Sequence, residues 1–174
     1  MILETRRLIL RELTEEDYDS LYRVLSDSDI MQHYPYTFDG KRVKNWITKN
    51  MERYRIFGFG LWAVILKESN EMIGDCGITM QMINGSIKPE IGYHIAKEFQ
   101  RQGYAKEAAK GCQDWLFQKT PFQKVYSYMK SANAPSSLTA ESCGMIKVEE
   151  FQDEEKELTS VYAICREQWL QNSK

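Results

Sequence analysis

The spacing of apolar residues along this chain changes repeatedly, and the changes mark its elements. Leu8-Ile9-Leu10 is a short apolar run of strand length. Thr14 with Asp17 resembles a capping signal and predicts a helix through about Leu25. Asp39 is placed to cap a second helix, in which Val43, Trp46, Ile47, Met51 and Tyr54 recur at helical spacing. Trp62 to Leu66 and Met72 to Met80 read as a hairpin around Ser69-Asn70. Ile87 to Ala96 is strand-like, and within Glu90 to Ile95 alternation puts Glu90, Gly92 and His94 on one face, opposite Ile91, Tyr93 and Ile95. A third helix is predicted from Gly103 to about Phe117, where Ala105, Ala108, Ala109, Cys112 and Leu116 give one small-residue face suited to a sheet. Lys124 to Met129 is a strand, and Pro135 fits the first turn of a fourth helix that stops near Gly144. Strands near Ile146 to Phe151 and Leu158 to Ile164 close the chain. This order predicts an α+β domain (α/β, three layers) with a mostly antiparallel sheet flanked by helices.

Composition narrows the picture without naming a function. The 174 residues suit one domain, 1–174, with a real core and no internal linker. A net charge of −2 argues against a general nucleic-acid binder. The apolar runs are too short for a membrane span, and Arg6, Arg7 and Arg11 are not followed by the apolar block of a secretory signal. The four cysteines, Cys76, Cys112, Cys143 and Cys165, form no C-x-x-C pair, and two histidines make a zinc site a poor expectation, so no metal is predicted. Buried free thiols in a reducing cytoplasm are the expected reading.

The run Gln100-Arg101-Gln102-Gly103-Tyr104-Ala105 joins the strand ending near Ala96 to the third helix. Such a loop presents several backbone N–H groups to one point, and the helix N-terminus adds partial positive charge, which suits a phosphate or pyrophosphate. By itself the run is also compatible with an ordinary solvated helix start. Its pattern, [Q/R]-x-x-G-x-[G/A], resembles the acetyl-coenzyme A loop of the GNAT superfamily of N-acetyltransferases. Other blocks follow in the same order. Leu3 to Arg11 looks like the opening of the branch containing the ribosomal-protein N-terminal acetyltransferases. Pro89 to Ile95 is similar to the family's fourth strand, and Asn133-Ala134-Pro135-Ser136 with Glu141 and Gly144-Met145 is similar to its N-x-x-S…E-x-x-G-[FM] block.

The resemblance implies a sheet whose fourth and fifth strands, here Ile87–Ala96 and Lys124–Met129, splay apart to admit the pantetheine arm of acetyl-CoA. Backbone groups near Tyr93, His94 and Ile95 would pair with the pantetheine amides, and one would face the acetyl carbonyl as an oxyanion contact. The pyrophosphate would sit on the N–H groups of Gln100 to Ala105, with Arg101, Lys106 and Lys110 adding screened charge or remaining solvated. Asn133 is either a cofactor contact or a turn residue leaving the strand. Ser136 is either the acid that protonates the departing thiolate or a helix-start hydroxyl bonded to backbone. Many relatives carry a tyrosine where this chain has Ala140, which shifts weight to Ser136. Glu90 is the leading base for the amine, directly or through water, against a structural rim carboxylate; His94 could serve instead.

The expected reaction is acetyl-CoA-dependent N-acetylation of a primary amine by direct transfer in a ternary complex. The acceptor is a protein N-terminus or a small-molecule amine. The alternative is a non-catalytic acyl-CoA-binding or regulatory module. The loop Met31-Gln32-His33-Tyr34-Pro35-Tyr36-Thr37-Phe38 could line the acceptor pocket or pack onto the core. Asp153, Glu154, Glu155 and Glu157 could attract a cationic acceptor or form a solvated acidic turn.

Overall fold

Local signals account for most of the element ends. The computed structural model describes residues 1–172. Asp39 accepts the Arg42 N–H at 2.9 Å and starts a helix that ends at Gly58, while Thr14 and Asp17 form a capping box before the first helix. In chain order the elements are β1 (Leu3–Glu4), β2 (Leu8–Glu12), α1 (Tyr18–Leu25), α2 (Gly40–Phe57), β3 (Leu61–Leu66), β4 (Glu71–Ile83), β5 (Ser86–Ile95), α3 (Tyr104–Lys119), β6 (Lys124–Lys130), α4 (Ala134–Ser142), β7 (Ile146–Gln152), β8 (Leu158–Cys165) and α5 (Arg166–Asn172). Short 3₁₀ turns lie at Glu15–Asp17 and Lys97–Phe99.

The strands form one mixed, mostly antiparallel eight-stranded sheet in the order β1-β2-β3-β4-β5-β6-β8-β7. Its two faces carry separate apolar clusters. Leu8, Leu10, Trp62, Val64, Ile73 and Ile91 pack against Ala108, Cys112, Leu116 and Phe117 of α3 and Trp169 of α5. Ala63, Ile65 and Met72 pack on the opposite face against Leu21, Val24 and Leu25 of α1 and Val43 and Ile47 of α2. Each fully buried aliphatic side chain of this kind contributes ~1.5–3 kcal/mol. The small residues of α3 let its backbone lie close to the sheet.

The pair β5–β6 is the exception in the sheet. It is parallel, and its register is the single pairing Glu90↔Tyr126. The polar directions along β5 can be assigned from its neighbours. The Ala96 N–H donates to the Ile73 carbonyl at 2.8 Å, toward β4, whereas Ser127 Oγ donates to the Ile91 carbonyl at 3.2 Å, toward β6. Backbone groups alternate sides along a strand. Those of Tyr93 and Ile95 therefore open into the space where β6 diverges, and those of His94 point back to β4. Pro89 also falls on the β6 side and brings no N–H to that ladder.

Three features depart from the sequence expectation. The predicted strands ending at Met80 and starting at Glu90 are arms of a longer hairpin, turned by Asn84-Gly85 at φ 45° and 79°. This is the left-handed pair that two-residue hairpin loops require. The strand β1 and the helix α5 were not foreseen. The Arg166 guanidinium holds α5 in place by donating to the carbonyls of Thr120 (2.7 Å) and Phe122 (2.9 Å) just beyond α3. Among the described residues, no helix is long and apolar enough to cross a membrane.

Candidate active site

The loop before α3 takes its shape from two left-handed residues, Arg101 at φ 60° and Gly103 at φ 82°. Gly103 is suited to this conformation, while Arg101 adopts it at a steric cost. Among the described residues, the backbone N–H groups of Arg101 through Lys106 donate to no protein acceptor. Six consecutive donors are thus available at the positive end of a helix. The N-terminal segment clamps the loop from behind. Glu107 accepts from Thr5 Oγ1 at 2.6 Å and from the Arg7 N–H and Nε, both at 2.7 Å. Arg7 also donates to the Gln102 carbonyl at 3.0 Å, and its guanidinium lies 4.2 Å from the Tyr104 ring centroid. Burial would raise the Glu107 pKa, but Thr5 and Arg7 outweigh it and hold the carboxyl below its usual range. Its charge is therefore compensated beside the donors.

A groove of about 1650 Å³ starts at this loop, follows the parting of β5 and β6, and reaches the segment between α1 and α2. It brings together Gln100, Arg101, Gly103, Tyr104, Ala105, Glu90, Tyr93, His94, Ile95, Asn133 and Ser136. Gln102 does not line it; its side chain donates to the Glu98 carbonyl and its own carbonyl takes Arg7. Of the three nearby cations, Arg101 and Lys106 line the groove. Lys110 instead pairs with Asp114 at 2.5 Å, one helical turn on.

Glu90 is buried on the face of β5 that also carries Gly92 and His94. Among the described residues, its Oε2 accepts one hydrogen bond, from Thr79 Oγ1 at 3.3 Å. Burial pushes its pKa up to about 8, and the Thr79 bond and the charge of Arg53 offset this only in part. Its negative charge adds to burial in pushing the Tyr128 hydroxyl up to about 12. His94, on the same face, is engaged by its ring. Nδ1 lies 2.7 Å from Asp75 Oδ1, and Nε2 lies 2.9 Å from the Tyr34 hydroxyl. Asp75 is fully buried, and its other oxygen accepts from Trp46 Nε1 at 2.8 Å. Sequence reasoning missed Asp75, placed Trp46 only on a helix face, and had Tyr34 only as a member of the loop 31–38. A signal was present, since Asp75 is the one charged residue in the apolar strand Met72 to Met80.

On the far wall, Asn133 caps α4 by accepting the Ser136 N–H at 3.3 Å while lining the groove. Both readings of Asn133 are therefore compatible with its position. Ser137, rather than Ser136, back-bonds to the Asn133 carbonyl among the described residues. The Tyr93 hydroxyl donates to the Ser136 carbonyl at 3.3 Å, tying β5 to α4. Ala140 is buried in the core and does not border the groove.

The segment 31–38 divides between the two expected roles. Met31 packs into the core, His33, Tyr34 and Tyr36 border the groove, and Phe38 does both. In the acidic turn, Glu155 and Glu157 lie 2.8 and 3.2 Å from Lys130 Nζ, and Asp153 joins them. The turn is thus anchored on its own cation. Cys76, Cys112 and Cys143 are buried free thiols, and Cys165 is half-buried.

Residues 7–146 match the model of the acetyltransferase (GNAT) domain. The Bacillus subtilis protein YkkB is 33% identical over 144 residues, covering 82% of this chain and 84% of its own. The B. subtilis N-acetyltransferase YnaD is 27% identical over 184 residues, covering 97% and 99%. The crystal structure of a GNAT-family acetyltransferase from Bacillus anthracis superposes with a TM-score of 0.82 at 26% identity, covering 95% of this chain and 98% of that one. With its splayed strand pair, its donor-rich loop and this match over most of its length, the chain belongs to the GNAT family of acetyltransferases.

Proposed function

We propose that this protein transfers the acetyl group of acetyl-CoA directly to a primary amine within a ternary complex. The observation that carries the reading is the row of six unpartnered N–H groups, Arg101 to Lys106, at one end of a groove walled by the parted strands. In this reading the loop Gln100–Ala105 cradles the pyrophosphate. The backbone groups of Tyr93 and the Ile95 N–H pair with the pantetheine amides, while the Ile95 carbonyl accepts from Gln100 Nε2 at 3.0 Å. His94 makes no such pairing, since its backbone serves β4 and its ring is held by Asp75 and Tyr34. A free N–H in the gap faces the acetyl oxygen. Glu90, its pKa raised to about 8, accepts a proton from the amine, and Ser136 returns one to the thiolate.

The acceptor enters between the segment 31–38 and the acidic turn. Solved proteins of this fold include a Vibrio cholerae spermidine N-acetyltransferase held with CoA and spermine, and a ribosomal L7/L12 α-N-protein acetyltransferase held with CoA, each 18% identical. They represent the two acceptor classes to be tested. Against the alternative, a module that binds acyl-CoA without turnover, stand Glu90 and Ser136, both of which line the groove. The buried thiols suit a reducing compartment such as the cytoplasm.

The test is calorimetric titration with CoA, followed by thiol release from acetyl-CoA against spermidine, free amino acids and peptides with a free N-terminus. Binding with amine-dependent release supports the transferase. Binding with no release for any amine supports the module.

A further inference from the structure

We propose that Tyr34, His94 and Asp75 form a proton relay serving the acceptor amine, a role that rests on the transferase reading above. The three are linked in one line that ends in the groove: Asp75 Oδ1 to His94 Nδ1 at 2.7 Å, then His94 Nε2 to the Tyr34 hydroxyl at 2.9 Å. An ionised carboxylate only accepts, so Nδ1 carries the imidazole proton. The neutral ring then has a bare Nε2, which accepts from the Tyr34 O–H. Trp46 Nε1 fixes the second oxygen of Asp75 at 2.8 Å, and Phe38 holds the Tyr34 ring edge-on with centroids 5.5 Å apart. The line is built from β4, β5, α2 and the segment before α2. No single element requires it.

The chemistry supplies the need for a second acceptor. The nitrogen arrives as R–NH3⁺ and leaves as an amide N–H, so it sheds two protons. One ends on the CoA thiolate and the other is released. Glu90 can take one. In the relay, a proton from the amine moves to the Tyr34 oxygen as the Tyr34 hydroxyl proton moves to His94 Nε2. The product is an imidazolium ion facing the Asp75 carboxylate, which later loses its proton to the solvent in the groove. Burial, with the charges of Glu90 and Asp75, raises the Tyr34 pKa, so the hydroxyl passes a proton on rather than standing as phenolate. Gly92 lies between Glu90 and His94 on this face. A Cβ there would stand 3.3 Å from Glu90 Oε2, so glycine leaves the strand bare where a nitrogen could meet both acceptors.

The test uses the full chain with CoA bound. The sequence holds two histidines, so ¹⁵N-histidine spectra with a His33→Asn control isolate His94. The relay requires the neutral Nδ1–H tautomer, with an Nε2 shift that moves in Tyr34→Phe. With the most active amine of the panel above, Tyr34→Phe and His94→Gln should each lower kcat by about 100-fold, leaving the acetyl-CoA KM unchanged. The double variant should fall no further than the slower single one, because the two act as a unit. Asp75→Asn, which removes the charge behind the ring, should lower kcat and shift the tautomer toward Nε2–H. An Nε2–H tautomer in the wild-type complex, a wild-type kcat in Tyr34→Phe, or losses that multiply would each overturn the relay while the transferase stands. CoA binding without thiol release for any amine would overturn the transferase reading and the relay with it.

Discussion

Arg7 and Glu107 meet at 2.7 Å across one hundred positions of sequence, and the contact anchors the loop between β5 and α3. Arg7 reaches the Gln102 carbonyl and the Tyr104 ring from the same position, so it fixes the loop on three sides. Arg7→Ala should loosen the row of free N–H groups before any phosphate arrives. We expect CoA affinity to fall roughly tenfold, on the scale of one charge-assisted hydrogen bond of ~1.5 kcal/mol. Glu107→Gln should do the same less strongly. The sign of its pH effect follows from a folded pKa below the unfolded one. The Glu107 contribution is present above the ordinary carboxylate range and lost as pH falls through the depressed value. Calorimetry of CoA binding at neutral pH, and thermal melts from neutral to acidic pH, check both statements.

Gly103 tests the cradle more directly. Its φ of 82° is strained for any side chain, and glutamate adds a negative charge at the positive end of α3. Gly103→Glu should abolish detectable CoA binding, and Gly103→Ala should weaken it while costing about 1 kcal/mol of stability. Unchanged CoA affinity in a folded Gly103→Glu variant would remove the pyrophosphate from this loop.

Glu90 carries a pH signature of the opposite sign to Glu107. Its folded pKa is raised to about 8, so the folded state holds a proton that the unfolded chain has already lost. Stability from this group is complete below the ordinary glutamate range and declines as pH rises toward the folded value. Glu90→Gln keeps the shape without the charge. It should melt above wild type at pH 8, with the difference closing toward pH 5. Its kcat/KM should fall by about 100-fold and lose an ionisation from its pH profile. A variant with wild-type melting at pH 8 and an unaltered profile would show Glu90 to be a structural carboxylate.

Most strands were legible in the chain because local signals bound them, whereas β1 and the order of the strands in the sheet were not. Asp39, Ser69-Asn70, Gly103 and Pro135 act where they stand, and the structure uses them as turns and caps. The turn into α3 was legible for the same reason, since its backbone geometry is set by neighbouring residues. The line from Asp75 to Tyr34 was not. Its members lie on three elements, and only the register Asp75↔His94 between β4 and β5 brings two of them side by side. The clamp of Arg7 on Glu107 was also hidden. Arg7 appeared as part of an opening motif, and its partner lies a hundred residues away. Lys110 shows the reverse case. Its sequence position suggested the phosphates, but its side chain turns to Asp114 one helical turn on.

Ser136 separates transfer from binding. It stands in the first turns of α4, where Asn133 caps its N–H and the Tyr93 hydroxyl holds its carbonyl. The backbone at this point is therefore fixed without the Ser136 hydroxyl, and Ser137 supplies the local back-bond. Removing the hydroxyl should leave the fold and the loop intact. A thiol pKa near ~8.5 makes the CoA thiolate a tolerable leaving group at neutral pH, so a proton donor helps without being indispensable. Ser136→Ala should lower kcat by about 10-fold, at the weak end of acid–base effects, with CoA affinity nearly unchanged. The loss should shrink when the thioester is replaced by one with a more acidic thiol, whose departure needs no proton. If Ser136→Ala instead weakens CoA binding at constant kcat, the hydroxyl is a cofactor contact. If neither quantity moves, the proton comes from Ser137 or water.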